Sequence, residues 1–498
     1  MVTRIAAQTV AKQARRAATG TLGLAGERMS KVDTAWLRMD SPANLMMIVG
    51  VWTLSPGIAH ADLCARIEDK LLKYGRFRQR VVEGAAGASW VEDRDFNIAR
   101  HVVLEKLPKA VAGRQQAALQ QRVGELAMQP LDRRHPLWCF HLVEDYQGGS
   151  ALIVRIHHCI ADGIALISVT MSLVDGGAPP PERRPRAGGG DAEDWIADTL
   201  IKPFTDVTLK ALGVTDGAAA RSLAMLLDPQ EGLHKGMSGS MELARLAYQV
   251  VSDAAALALM PDDSKTRLKG KPLNAKRVAW CEPIPLDEVK AVGKALGCSI
   301  NDVLLSCVAG AIGGYLRAQG DDVQGQEIRA MIPINLRPLE HAWKLGNRFG
   351  LVPLVLPVGM DNPVERVYEV RRRMNSLKGS TQPLLAFGLL AVAGLLIKPA
   401  QDAMLNLFGR KTTAVMTNVP GPREKLKLLG ATLEQTMFWV PQSGDIGLGV
   451  SILSYGGGVQ FGVITDTGMC PDPQKIIDEF TPEFDRLLLA TLMLPWGE

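Results

Sequence analysis

Two hydrophobic rhythms alternate along the chain. Met46 to Leu54 and Ala151 to His157 are short β-rich runs, whereas Ala61 to Tyr74 and Gln115 to Met128 carry apolar residues at helical spacing. This mixed pattern runs from about Met29 to Val174 and then breaks. Gly176-Gly177-Ala178-Pro179-Pro180-Pro181, with Arg183, Arg184, Pro185 and Gly188-Gly189-Gly190 behind it, sustains neither a helix nor a central strand. A helical, strand-poor stretch follows to about Met260, with Leu243, Leu246, Ala247 and Val250 on one face. The polar segment Asp262 to Pro272 opens a second mixed block. There the pattern predicts a strand at Val278 to Trp280, helices over Leu286 to Leu296 and Asn301 to Leu316, and several strands after Leu351. The organisation expected is a basic extension (1–28), an α/β domain (29–175), a Pro/Gly-rich and helical linker (176–272) and a second α/β domain (273–498).

Composition agrees with that division. A chain of 498 residues suits two domains of about 200 residues each plus a connector. Hydrophobic residues at 47% give each domain a core to bury, which excludes global disorder. A net charge of +4 excludes a nucleic-acid binder built on a concentrated basic face. The seven cysteines form no C-x-x-C pair, so they read as reduced core residues of a cytoplasmic protein.

Residues 1–28 hold Arg4, Lys12, Arg15, Arg16 and Arg28 against Glu27 and lack the apolar run of a secretory signal. Between Lys378 and Lys398 there is no charge, and Leu384 to Ile397 is almost wholly apolar. That run is short of the about 20 residues a span needs, so it reads as a buried or surface-inserting helix. The chain is expected to be soluble or peripheral.

The chemistry concentrates in Ile153-Val154-Arg155-Ile156-His157-His158-Cys159-Ile160-Ala161-Asp162-Gly163. A β-rich run ends in two histidines and reaches Asp-Gly just before the apolar helix Ile164 to Leu173. Strand alternation sets Leu152, Val154, Ile156 and His158 on one face, with Ile153, Arg155 and His157 on the other. This argues against a paired metal site and for one working imidazole, suited to take a proton from a hydroxyl or thiol near neutral pH. Asp162 can hold the turn by accepting backbone N–H groups, and Gly163 leaves room for close approach of backbone.

This segment resembles the His-His-x-x-x-Asp-Gly signature of coenzyme-A-dependent acyltransferases related to chloramphenicol acetyltransferase. Further segments narrow the likeness to the bacterial wax ester synthase/diacylglycerol acyltransferase family. They are Pro130-Leu131-Asp132-Arg133 with Pro136-Leu137-Trp138, Ser299-Ile300-Asn301-Asp302-Val303, Pro333-Ile334-Asn335-Leu336-Arg337, Thr417-Asn418-Val419-Pro420-Gly421-Pro422, and the opening Met29-Ser30 to Ala35-Trp36-Leu37. The resemblance implies an α/β (α+β) fold of two chloramphenicol-acetyltransferase-like domains, with the active site in a channel between them. It implies His158 as general base, His157 in support, Asp162 as a structural partner and no covalent acyl-enzyme. Asn301 is the candidate oxyanion donor, its alternative being a helix cap. Pro136, Leu137 and Trp138 are candidates to line the acyl channel or its supporting core.

The implied reaction moves a long-chain acyl group from acyl-CoA, a co-substrate, to diacylglycerol or a fatty alcohol. No other cofactor and no metal is expected. The expected partners are these lipids and the surface of the inner membrane or of lipid droplets, on the cytoplasmic side, with a homodimer left open and no nucleic acid. Two competing readings share the fold. One is a condensation-type, amide-forming acyltransferase, disfavoured because no carrier-like Asp-Ser-Leu segment occurs. The other is a non-catalytic lipid-droplet or membrane-binding protein, disfavoured by the intact signature. Arg371-Arg372-Arg373 reads as a solvated helix face, with a phosphate role as the alternative.

Overall fold

The computed structural model describes residues 26–84, 87–108, 114–177, 260–336, 345–377 and 409–493, with Ala386, Gln401, Asp402, Leu405 and Asn406 as isolated residues between the last two segments. Most of residues 1–28, most of the linker with Leu243 to Val250, Arg337, and nearly all of Leu384 to Ile397 lie outside the described residues.

In chain order the elements that build the site are α1 (Lys31–Arg38), β1 (Met47–Ser55), α2 (His60–Lys70), β2 (Val102–Glu105), α3 (Gln115–Ala127), β3 (Trp138–Tyr146), β4 (Gly149–His157) and α4 (Gly163–Leu173). Then come β5 (Lys276–Trp280), α5 (Leu286–Ala295), α6 (Ile300–Ala318), β6 (Ile328–Asn335), β7 (Phe349–Leu356), α7 (Pro363–Leu377), β8 (Ala414–Pro420), β9 (Ala431–Trp439), β10 (Leu448–Tyr455), β11 (Gly458–Asp466) and α8 (Gln474–Leu492). The expected helices and strands sit within a few residues of their predicted bounds. At the N-terminus, Glu27 and Arg28, assigned above to the extension, pair with Trp90 and Ser89.

Two large sheets carry the fold. The first has six strands, Lys427–Leu428 and then β9, β1, β4, β3 and β2 in spatial order. The second has seven, ordered β7-β6-β8-β10-β11-β5, with Ile284–Pro285 also on β11. The second half of the chain thus lends β9 to the first sheet, where Trp439 to Thr432 run antiparallel to Val49 to Ser55. The first sheet is buried on both faces. Ile48, Trp52, Leu152 and Ile156 pack with α1, α2 and α4, while Met47, Val49, Val51 and Ile153 pack with α3 and with Val278, Trp280, Met437 and Trp439. A strand covered on both sides must be apolar at nearly every position, which is why Met47 to Trp52 and Ala151 to Ile156 read as runs.

The helix starts are locally specified. Ser30 caps α1 by accepting the Asp33 N–H at 3.0 Å. Ser299 caps α6 in a capping box: its hydroxyl accepts the Asp302 N–H, and Asp302 accepts the Ser299 N–H at 2.9 Å.

Candidate active site

Strand β4 ends at His157, and the two histidines diverge into different surroundings. The His157 Nδ1 accepts the Cys159 N–H at 3.1 Å, and its Nε2 lies 3.4 Å from Asp40 Oδ2. Burial alone would push the Asp40 carboxyl up, but His157, the Met46 N–H and Arg133 outweigh it and hold it at about 2. The His157 side chain lines a small cavity with Asp40, Met47, Pro130, Leu131, Arg133 and Leu137.

His158 turns the other way. Its ring stacks on Trp36 with centroids 4.1 Å apart and planes 19° apart, and Phe349 lies 5.4 Å away. Only 2% of the residue is exposed. Burial pulls the imidazole down to about 3, against weaker opposition from the Asn347 side chain and the residue's own backbone. The ring is therefore neutral at physiological pH, the form a proton acceptor needs. Its Nδ1 is sealed from solvent with no hydrogen-bond partner among the described residues.

Asp162 is occupied by backbone. It caps α4, accepting the Ala165 N–H on Oδ1 at 2.9 Å, and Oδ2 accepts the Arg348 N–H at 2.9 Å. One carboxylate thus joins the start of α4 to the segment Gly346-Asn347-Arg348, which runs parallel to the histidine loop through an Ala161–Gly346 bridge. Gly163 departs from expectation. Among the described residues no atom lies within 4 Å of where its Cβ would be, so no protein backbone approaches it. It lines a cavity instead.

That cavity, about 870 Å³ when the solvent-open space at its mouth is counted, is almost wholly apolar. Ile48, Gly50, Trp52, Phe140, Val154 and Ile156 form its sheet side, Leu166, Val169, Thr170 and Leu173 of α4 its roof, and Gly421, Pro422, Leu426, Leu453 and Tyr455 its far wall. Val154 and Ile156 share the face that alternation gives to His158. Register supports this, because Ile48 pairs with Ile156 and Gly50 with Val154. The turn Asn418 to Pro422, from the second half, closes the cavity together with α4 from the first.

The other sequence candidates are placed as follows. Asn301 is exposed on the first turn of α6, where its Oδ1 accepts from Asn418 Nδ2 at 2.9 Å. Ser299 is the cap, so the capping alternative for Asn301 falls. Leu137 and Trp138 are buried, and none of Pro136, Leu137 and Trp138 lines the 870 Å³ cavity. Trp138 is held by its indole N–H on Phe77 O at 2.9 Å and by stacking on His101, so it belongs to the supporting core. Arg372 and Arg373 both pair with Glu369 on α7, and Arg373 also with Glu327.

Periodicity gave no sign of Asp33, Arg76 and Asn347, which surround the histidine loop. Asp33 Oδ1 accepts from Asn347 Nδ2 at 2.8 Å, and Oδ2 pairs with Arg76 at 3.1 Å. Arg76 also donates to Ile160 O at 2.8 Å. Asp33 and Trp36 lie in the opening segment quoted for its resemblance, which was the available signal. Asn347 had none.

Comparison with known proteins places this site in a family. A model described as the wax ester synthase/diacylglycerol acyltransferase catalytic domain matches residues 29–304, and one described as the WS/DGAT C-terminal domain matches 345–488. The probable diacylglycerol O-acyltransferase tgs1 of Mycobacterium tuberculosis is 27% identical over 459 residues, covering 90% of this chain and 93% of the relative. The probable diacylglycerol O-acyltransferase tgs2 of the same species is 26% identical over 400 residues, covering 79% and 82%. Among solved structures, the wax ester synthase/diacylglycerol acyltransferase from Marinobacter aquaeolei VT8 shares the fold. Its TM-score is 0.64 at 21% identity, over 94% of this chain and 100% of that one. The X-domain from teicoplanin biosynthesis aligns with a TM-score of 0.53 at 13% identity, over 94% and 96%. With its catalytic-domain model covering more than half of the chain, this protein belongs to the wax ester synthase/diacylglycerol acyltransferase family and is an acyltransferase.

Proposed function

We propose that the protein moves a long-chain fatty acyl group from acyl-CoA to diacylglycerol or to a long-chain fatty alcohol, with His158 as the general base. His158 Nε2 takes the proton of the acceptor hydroxyl as the oxygen attacks the thioester carbonyl carbon. The C–S bond then breaks, and the imidazolium returns the proton to the departing coenzyme A thiolate. Asn301 is the candidate donor to the oxyanion formed between these steps. Its Oδ1 is engaged by Asn418, which leaves Nδ2 as the group to donate. Asp162 holds the loop and takes no proton.

The observation that carries this reading is the 870 Å³ apolar cavity on the His158 face of the first sheet. Its lining, apolar with few polar atoms, suits a hydrocarbon chain. A lipid acceptor also suits an enzyme that works at a membrane or droplet surface as a peripheral protein. Among the described residues no single helix is long and apolar enough to cross a membrane; the bent pair α5 and α6 passes by composition, but α6 is core.

The test is incubation of pure protein with labelled palmitoyl-CoA, a diacylglycerol and hexadecanol together, followed by product separation. Triacylglycerol, wax ester or both are expected, and the ratio ranks the acceptors. Thioester hydrolysis without either ester overturns the proposal.

A further inference from the structure

The Asp33, Asn347 and His158 cluster can be accounted for atom by atom. All three residues are buried. Asn347 Nδ2 lies 2.8 Å from Asp33 Oδ1 and 2.7 Å from the His158 carbonyl oxygen, two groups that can only accept. These contacts fix which end of the amide is nitrogen, a choice the hydrogen-bond network has to make. Oδ1 is then an acceptor, and it is buried with no partner among the described residues. Two buried ring nitrogens of the cluster also lack one, His158 Nδ1 and the indole Nε1 of Trp36. Of these rings the imidazole is the one on which the Asn347 side chain acts, raising its basicity.

We infer that Asn347, held by Asp33, is a positioning residue for the acyl transfer: its Oδ1 and His158 Nδ1, complementary buried groups left unpaired in the resting geometry, close on each other when the acceptor binds, and Oδ1 then fixes the Nδ1–H tautomer that leaves Nε2 as the base. The inference rests on His158 being the base. Its physical content is orientation. Asp33 holds the Asn347 amide, and Arg76 balances the Asp33 charge through the contact at 3.1 Å while donating to the loop carbonyl of Ile160. When Nε2 takes the acceptor's proton, the new positive charge meets the Asn347 oxygen on one side, with the Asp33 carboxylate behind it. A neutral amide does this without the cost of burying a second charge beside the ring. The competing acceptor is the histidine's own carbonyl, which already takes an Asn347 hydrogen.

The test uses the full-length protein with ¹⁵N-labelled histidine, and reads the ring-nitrogen shifts of His158, assigned by their loss in His158→Ala. The wild type, with diacylglycerol or hexadecanol bound, is expected to show the Nδ1–H tautomer alone. Asn347→Leu, close in volume, is expected to mix the tautomers and to lower kcat at least about tenfold with little change in acyl-CoA KM. A comparable failure of tautomer control in a serine-hydrolase triad costs about 10⁴. An Nε2–H tautomer in the wild type overturns the inference, and so does a folded Asn347→Leu with normal kcat and an unmixed tautomer. If Asn347→Leu does not fold, Asn347→Ala is read in the same way, because the histidine's own carbonyl would give the same wild-type tautomer. Activity in His158→Ala would instead remove the base assignment, so the two failures are distinguishable.

Discussion

Strand β4 divides two surroundings, and neighbouring histidines fall on opposite sides of it. On the His157 side polar groups meet one another. Arg155 is buried and reaches the Gln129 carbonyl, the Met47 sulfur at 3.7 Å and His141 at 3.3 Å, and burial pulls its guanidinium down to about 10. His141 Nδ1 in turn donates to Glu105, 2.9 Å away, which Arg122 also holds. On the His158 side the ring meets Trp36, Phe349 and one amide, and an apolar cavity opens on the same face of the sheet. One residue type thus serves two ends. A polar cluster ties the sheet to the loops beside it, while sparse polarity keeps an imidazole neutral and available.

The largest expected break in that comparison comes from His158→Ala. It should lower kcat by about 100- to 10,000-fold, the usual worth of a general base, in a protein with unchanged circular dichroism. Asn301→Asp should follow. The exposed position tolerates an acidic residue in the first helical turn, so melting is expected to hold. A charged carboxylate offers the oxyanion no hydrogen, so kcat should fall about 100-fold or more. Near-normal turnover in that variant would remove Asn301 from the chemistry.

His157→Ala should cost less than about tenfold in kcat, because Asp40 keeps the Met46 N–H and Arg133 as partners. Complete loss in both histidine variants, each folded, would mean that the sides are not distinct.

A smaller effect concerns acid stability. The buried His101, His141 and His158 are all held below the usual imidazole value, chiefly by burial, with His141 near 4 and His158 near 3. Below pH 6.5 the unfolded chain takes up protons at these positions that the folded chain refuses, so stability falls as pH drops from about 6.5 toward 4. Asp40, held at about 2, extends the loss in the same direction below pH 4. Melting temperature followed between pH 8 and 4 should be flat above 6.5 and decline below it; a decline that begins only under pH 4 would contradict the buried neutral histidines.

Much of this was legible in the sequence because it is local. The bounds of β1, β4, α3, α4, α5 and α6 follow from period and caps, and Asp162 as the holder of a turn follows from its place before an apolar helix. What was hidden depends on non-local pairing. Nothing in Ala431 to Trp439 says that it pairs with β1, more than 370 positions earlier, because an apolar strand carries no label for its partner. Asn347 is equally silent: its role depends on Asp33 meeting it across 314 positions of sequence. Trp138 is ambiguous for the opposite reason, since a large apolar side chain suits a channel wall and a core equally well, and only the structure shows it packed against His101 and Phe77.

The central claim is that His158 works as a base held neutral by burial, and kcat/KM measured from pH 5 to 8 tests it most directly. That ratio reports the ionisation of the free enzyme. The account predicts no inflection near pH 6.5, because the ring stays unprotonated throughout the range. An acid limb centred near 6.5 would show an imidazole titrating as it does in water, and would contradict the account.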